Sequence, residues 1–220
     1  MGQKIVVNSL HLIKNKNWNS FWYVDFNNYL PIFREDLYLY LYLRSFSKLK
    51  YNVLKRKHLY QIEIVKCFIY RIDKSLILNL QLMGLKTRQL KKSDFPFFIK
   101  QLLIKLKNFF NYKNNRLVIY YKIGKSTALF TALRVATLLE KRVRFQSQIV
   151  KKIVNQLEVN GVRISCKGRL NFVDRATKAQ ISFGSVPLQT IKADIDYGLI
   201  VANTKKGLQS VKVWILNKKQ

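Results

Sequence analysis

The residues best placed for chemistry are Gly124-Lys125-Ser126-Thr127, which lie between a run that reads as a strand and a run that reads as a helix. A phosphate-cradling loop of the GxxxxGK[ST] kind wraps backbone amides around phosphate and needs a glycine at each end. The first of those glycines would fall at Ile119, so the segment reads instead as a glycine turn followed by a Ser/Thr helix cap. Asp194 and Asp196 have the spacing of a metal-binding pair, yet they share a strand face with lysines and read as partners of Lys192, Lys212 or neighbours. Cys67 and Cys166 lie far apart with no CxxC, and no spacing ties them to His11 or His58, so neither a disulfide framework nor a zinc site is indicated. These four side chains read as structural or incidental. No Ser/His/Asp, Cys/His or paired-carboxylate arrangement stands out, and 11 acidic residues leave little material for acid–base work. No catalytic residue, metal or cofactor is therefore expected. A nuclease, which needs carboxylates or histidines clustered around a metal, is a poor reading.

What the chain does have is positive charge. Its 220 residues carry 41 Lys+Arg against 11 Asp+Glu, a formal charge of +30. At 49% hydrophobic it holds enough apolar material for a core. A compact state with that charge needs a polyanion to neutralise it, and phosphate neutralisation with counterion release makes nucleic acid the default partner. Basic residues run from Lys4 to Lys219 rather than forming one amphipathic helix, which disfavours a membrane surface. The longest apolar stretch, Leu59 to Met83, is broken by Glu63, Lys66, Arg71, Asp73 and Lys74, and no membrane insertion is expected. Left unneutralised, the chain is expected to aggregate or stay partly unfolded.

The elements that would position these charges fall into two sets. Met1 to Trp22 reads as an irregular arm. Phe33 to Phe46 is ambiguous: Leu37, Leu39, Leu41 and Leu43 alternate with tyrosines as in a strand. The same run offers Leu37, Tyr40 and Leu41 on one helical face, with Glu35 and Asp36 in a first turn. Tyr60–Tyr70 and Leu76–Leu82 read as a hairpin turning at Arg71 to Ser75. A helix follows from Ser93-Asp94-Phe95-Pro96, carrying Phe98, Leu102 and Leu106, and then a strand over Arg116–Lys122. Beyond Gly124 the pattern predicts helices at Thr127–Arg142 and Gln146–Leu157. Four strands come next, at Val162–Leu170, Lys178–Phe183, Leu188–Tyr197 and Leu208–Leu216. In the last pair Ile191, Ala193 and Ile195 would face inward opposite Val211, Val213 and Ile215.

Basic and aromatic residues cluster on this frame. Lys14, Lys16, Trp18 and Trp22 share the arm, where an indole could stack on a base or hook the arm down. Lys141, Arg142, Arg144, Lys151 and Lys152 gather at the join of two helices. Arg169, Arg175, Lys178, Lys192, Lys205 and Lys206 populate the C-terminal strands and loops.

Two stretches then look familiar. Met1-Gly2-Gln3-Lys4-Ile5 and Asn17-Trp18-Asn19-Ser20-Phe21-Trp22 resemble the opening of the small-subunit ribosomal protein S three family. The C-terminal half resembles it more strongly, through Leu139-Glu140-Lys141-Arg142-Val143-Arg144-Phe145, Gly168-Arg169-Leu170 and the run from Gly184 to Tyr197, closing on Val211-Lys212-Val213-Trp214-Ile215. The resemblance implies an α+β chain. An rRNA-contacting arm would span 1–32 and a type II KH-like domain 33–123. A C-terminal domain of two helices and a four-stranded antiparallel or mixed sheet would span 124–220. It makes the Leu/Tyr run a helix. It implies a structural, non-enzymatic role in the head of the small subunit, among rRNA and neighbours of the S ten and S fourteen families, beside the entrance channel for mRNA. Lys4, Arg169, Arg175 and Lys192 fall at positions implied to touch rRNA, and Lys141, Arg142 and Arg144 in the helix region facing mRNA. Two departures are visible. The Gly-x-x-Gly loop with which KH domains grip a nucleic-acid backbone reads Leu90-Lys91-Lys92-Ser93 here, and Gln146-Ser147 stand where the family carries basic residues. Little single-strand grip is expected of that loop beyond phosphate contacts of Lys91 and Lys92, and mRNA unwinding is expected to be weaker or shared with other subunits. The abundance of Lys over Arg, with many Asn, Ile, Phe and Tyr, points to an A/T-rich organelle genome, mitochondrial in preference to plastid. A free-standing KH-type RNA-binding regulator is the rival reading.

Overall fold

The computed structural model describes residues 7–12, 16–48, 51–52, 59–60, 62–72, 75–84, 94–110, 116–123, 127–155, 157 and 159–217. It is a mixed α+β chain that divides into two compact units, Trp18–Lys125 and Met1–Asn17 with Ser126–Gln220. The residues before the first long helix divide between the two units. Helix α1 (Val7–His11) belongs with the C-terminal unit, where Val7 packs with Ala193 and Ile195. Strand β1 (Ser20–Phe21) belongs to the other unit and pairs in parallel with β4 (Ile62–Ile72).

The N-terminal unit runs β1, α2 (Phe26–Lys48), a short pair β2 (Tyr51–Asn52) and β3 (Leu59–Tyr60), then β4, β5 (Ser75–Gly84), α3 (Asp94–Phe110) and β6 (Arg116–Ile123). Its main sheet has the order β1-β4-β5-β6, with β4 and β5 antiparallel and β5 and β6 parallel. Alternation in β5 puts Leu76, Leu78, Leu80 and Leu82 on one face, against Leu39, Leu43 and Phe46 of α2 and Phe98, Leu102 and Leu106 of α3. Each such side chain contributes about 1.5–3 kcal/mol by leaving water. The Leu/Tyr run is helical because one stripe at helical spacing, Asp36, Leu39, Leu43 and Phe46, is buried. The face expected from the sequence is the wrong one: Leu37 and Leu41 are 47% and 63% exposed. The helix also begins earlier than expected, at Phe26 and with Pro31 inside it, so Glu35 and Asp36 lie mid-helix rather than in a first turn. The hairpin ladder closes at Ile72↔Ser75.

The C-terminal unit continues with α4 (Ala128–Glu140), α5 (Gln148–Asn155), β7 (Gly161–Gly168), β8 (Thr177–Gly184), β9 (Ile195–Thr204) and β10 (Gly207–Leu216). The strands form a fully antiparallel sheet of order β8-β7-β10-β9. Ala132, Val135 and Ala136 of α4 and Val150 and Val154 of α5 cover the face made by Val162, Ile164, Val211, Val213 and Ile215. The strand expected at Leu188–Tyr197 is a correction. Residues 187–194 turn, with Thr190 N–H donating to Pro187 O and Ala193 N–H to Thr190 O, and β9 starts only at Ile195. Register is set by the tight turn Thr204-Lys205-Lys206-Gly207, where Gly207 has φ 117 and the ladder runs from Gly207↔Thr204 to Leu216↔Ile195. Gly198 lets β9 pass directly under α4, since a Cβ there would stand 2.5 Å from Leu129 N.

Candidate nucleic-acid interface

Helix α4 is fixed at its start by two side chains. Thr127 is its N-cap and accepts from Phe130 N–H at 3.4 Å. Asp196, buried in β9, accepts from Ala128 N–H at 2.9 Å. Asp196 thus caps a helix, and Asp194 accepts from Asn217 Nδ2 at 2.7 Å. The two aspartates thus hold a backbone amide and an amide side chain, roles that spacing along the chain does not show. Residues 124–126 lie outside the described residues.

The far end of α4 is where cations converge. The helix closes with Arg142 N–H on Leu139 O and Val143 N–H on Leu138 O, both at 3.0 Å. That closure needs a left-handed residue and normally takes glycine, yet Arg142 fills it at φ 62. The strain costs about 1–2 kcal/mol. The other non-glycine residue with positive φ among those described is Asn171, at φ 53. Both line the same cleft, with Glu140, Val143, Arg144, Phe145, Arg169, Thr204, Lys205, Lys206 and Gln209. It encloses about 40 Å³. Arg142, Arg144, Lys205 and Lys206 are exposed. Arg169 leans on Val173 O at 3.4 Å and on Asp174 at 3.2 Å. Glu140 accepts from Asn203 N–H at 3.2 Å. Gln209 is only 7% exposed; its Nε2 donates to Arg169 O at 2.6 Å, and its Oε1 has no hydrogen-bond partner among the described residues.

The structure therefore joins Arg142 and Arg144 to Arg169, Lys205 and Lys206, which the sequence kept in separate clusters. Lys141, Lys151, Arg175, Lys178 and Lys192 are exposed on the same unit but do not line the cleft. Lys178 faces Lys167 across the β7–β8 ladder. Like charges directly opposite on adjacent strands are unfavourable without a counter-ion, and sequence reading missed Lys167 because its strand partner is not visible in spacing. On the same unit Tyr197 and Trp214 stand with ring centroids 5.6 Å apart and Arg163 lies over the indole at 6.0 Å.

In the N-terminal unit Trp22 acts as a hook: its indole N–H donates to Asp36 Oδ2 at 2.7 Å and its ring tilts against Tyr29. Asp36 also takes Arg71, whose Nη1 reaches Glu35 at 2.9 Å. Burial pulls the Arg71 guanidinium down, but the hydrogen bonds and charge of Asp36, helped by Glu35, raise it overall. Trp18 is 59% exposed. Lys16 donates its backbone N–H to His11 O. His11 is wholly buried, and neither ring nitrogen has a partner among the described residues. Burial pushes the Cys67 and Cys166 thiols up to about 12, so neither is a nucleophile at neutral pH. Lys4, Lys14, His58, the degenerate loop Leu90, Lys91, Lys92 and Ser93, and the Lys152 side chain lie outside the described residues.

Comparison with known proteins places this chemistry. The family model described as Ribosomal protein S3, C-terminal domain, matches residues 135–215, which hold the end of α4, the cleft and the sheet. The Small ribosomal subunit protein uS3 of Clostridium perfringens is 32% identical over 220 residues, covering 99% of this chain and 92% of that protein. The protein of the same name from Desulfitobacterium hafniense is 33% identical over 98% of this chain and 92% of its own length. With a likeness that spans both units from end to end, the chain belongs to the ribosomal protein S3 family.

Proposed function

We propose that this protein is a structural constituent of the small ribosomal subunit that binds small-subunit rRNA and carries no enzymatic activity of its own. The observation that carries this reading is the full-length likeness to uS3 proteins, 32% identical over 99% of the chain. A formal charge of +30 supplies the electrostatics. More finely, the protein sits in the head of the subunit with Lys4, Lys14, Lys16, Trp18, Trp22, Arg169, Arg175, Lys178, Lys192, Lys205 and Lys206 toward rRNA. Lys141, Arg142, Arg144, Lys151 and Lys152 face the mRNA entrance. The N-terminal unit is a type II KH-like domain; its order α2-β4-β5-α3-β6, with β5 and β6 parallel, supports this. The loop of Leu90 to Ser93 lacks the glycines that KH domains use, and its grip on RNA is weak. Phe26, Leu30, Phe33, Leu37 and Leu41 form an exposed apolar stripe along α2, which suits protein neighbours, those of the S ten and S fourteen families, better than RNA. Among the described residues no helix is long and apolar enough to cross a membrane. The Lys- and Asn-rich composition supports an organellar ribosome, mitochondrial before plastid.

The test is sedimentation of a native organelle lysate at moderate and high salt. Co-migration with the small subunit that survives high salt is expected of a protein held by shape as well as charge. Migration as a free protein or light complex overturns the reading in favour of a free-standing RNA-binding regulator.

A further inference from the structure

We propose that the cleft at the end of α4 is a single site for the sugar-phosphate backbone of RNA. Arg142, Arg144, Lys205 and Lys206 hold one phosphate there, and Gln209 Oε1 accepts the hydrogen of the adjoining ribose 2′-hydroxyl. The inference rests on the RNA-binding reading above and sharpens it. Cations that would otherwise be divided between rRNA and mRNA serve one nucleotide.

Three independent observations converge on the cleft. The first is the gathering of cations from the α4–α5 join and the β9–β10 turn around a space of about 40 Å³. That is room for roughly three water-sized groups, the scale of phosphate oxygens. The second is backbone conformation, strained at Arg142 and one that asparagine adopts readily at Asn171. The two described non-glycine residues with positive φ, Arg142 and Asn171, both line it. A glycine at 142 would relax the helix end but remove a guanidinium. The third is Gln209. Its amide direction is set by the 2.6 Å bond from Nε2 to Arg169 O, which leaves Oε1 buried with no donor among the described residues. A phosphate diester has no proton to give. A ribose 2′-hydroxyl does, and it is the group by which a site tells RNA from DNA. Glu140 also lines the cleft, its Oε1 accepting from Asn203 N–H at 3.2 Å, and its single negative charge stands against four cations.

The experiment uses the full chain and a fluorescent oligo(U) RNA, with the matching oligo(dU) DNA, titrated by anisotropy across a salt series. The triple variant Arg142→Gly, Lys205→Ala, Lys206→Ala is compared with Lys100→Ala, Lys107→Ala, Lys122→Ala, which removes equal charge from exposed lysines elsewhere. The cleft variant is expected to bind RNA at least about tenfold more weakly than the control variant, with a salt slope lower by roughly 0.7 because one phosphate is no longer neutralised. Gln209→Leu is expected to lower RNA affinity to the level of DNA and leave DNA affinity unchanged, which also reports that the variant is folded. Equal losses in the two triple variants, or an RNA-over-DNA preference that survives Gln209→Leu, overturn the cleft site. If the unaltered chain, shown to be folded by circular dichroism, does not bind RNA at all, the RNA-binding reading falls instead. Hydroxyl-radical footprinting of small subunits carrying the cleft variant separates the sources. Changed rRNA cleavage without mRNA identifies rRNA as the ligand, a change only on adding mRNA identifies mRNA, and no change in either overturns the site.

Discussion

Replacing Asp36 tests whether the N-terminal unit is held together by one buried carboxylate. Its side chain is 3% exposed, and it receives Arg71 Nη2 at 2.7 Å, Arg71 Nε at 3.1 Å and Trp22 Nε1 at 2.7 Å. It thereby ties α2 to the end of β4 and to the segment that follows β1. Among the described residues, Asp36→Ala leaves the Arg71 guanidinium, 16% exposed, with only Glu35. Stripping one partner from a buried pair costs about 3–5 kcal/mol. The remaining Glu35 bond and the partial exposure of Arg71 place the expected loss near the lower end, about 3 kcal/mol. Asp36→Asn keeps an acceptor oxygen and should lose about half as much. Glu35→Ala, at a side chain 47% exposed, should lose no more than about 0.5 kcal/mol. Hydrogen exchange followed by mass spectrometry reads this unit by unit, at high salt to screen charge repulsion. The slowest amides of β4 should exchange roughly 150-fold faster in Asp36→Ala, with β7 and β10 unaffected. A loss under about 1 kcal/mol, or one matched by Glu35→Ala, would refute the carboxylate as the tie.

Other outcomes follow from the same geometry. Gly198→Ala forces a methyl against the Leu129 and Ala128 backbone at 2.5–2.6 Å, and should cost the C-terminal unit at least about 2 kcal/mol in urea melts; a neutral change would disprove the close approach. Asp196→Ala should cost about 1–2 kcal/mol and Thr127→Ala less, because the Asp196 bond is 2.9 Å and the Thr127 bond 3.4 Å; the reverse order would make Thr127 the main cap. The buried thiols stay protonated in the folded chain to about 12 but ionise from 9.0 once unfolded. Stability is thus unaffected below pH 9 and falls as pH rises from 9 towards 12, by about 1.4 kcal/mol per pH unit for each thiol. Cys67→Val should flatten part of that slope in denaturation curves, and an unchanged slope would show that Cys67 is not shielded.

The order of helices and strands was legible in the chain because period-two and helical spacing survive in the core: Leu76 to Leu82 alternate, and Phe98, Leu102 and Leu106 recur at helical steps. The motifs of α4 and of the strands after it carried the family. Spacing failed where two patterns coincide. In Leu37 to Leu43 the alternation suits a strand, and only burial of Leu39, Leu43 and Phe46 against β5 and α3 selects the helix and its inner face. It failed again after Pro187. Ile191, Ala193 and Ile195 alternate like a strand, yet the two-residue turn at Lys205-Lys206 sets the ladder and leaves residues 191–194 outside it. The cleft was out of reach for a related reason. Composition fixes how many cations the chain holds, but Arg142, Arg169, Lys205 and Gln209 meet only because α4 ends over the β9–β10 hairpin and the start of the β7–β8 connection. Charge is a sum over residues and can be counted along a sequence. A site is a coincidence of segments in space, and only packing of the helix on its sheet creates it.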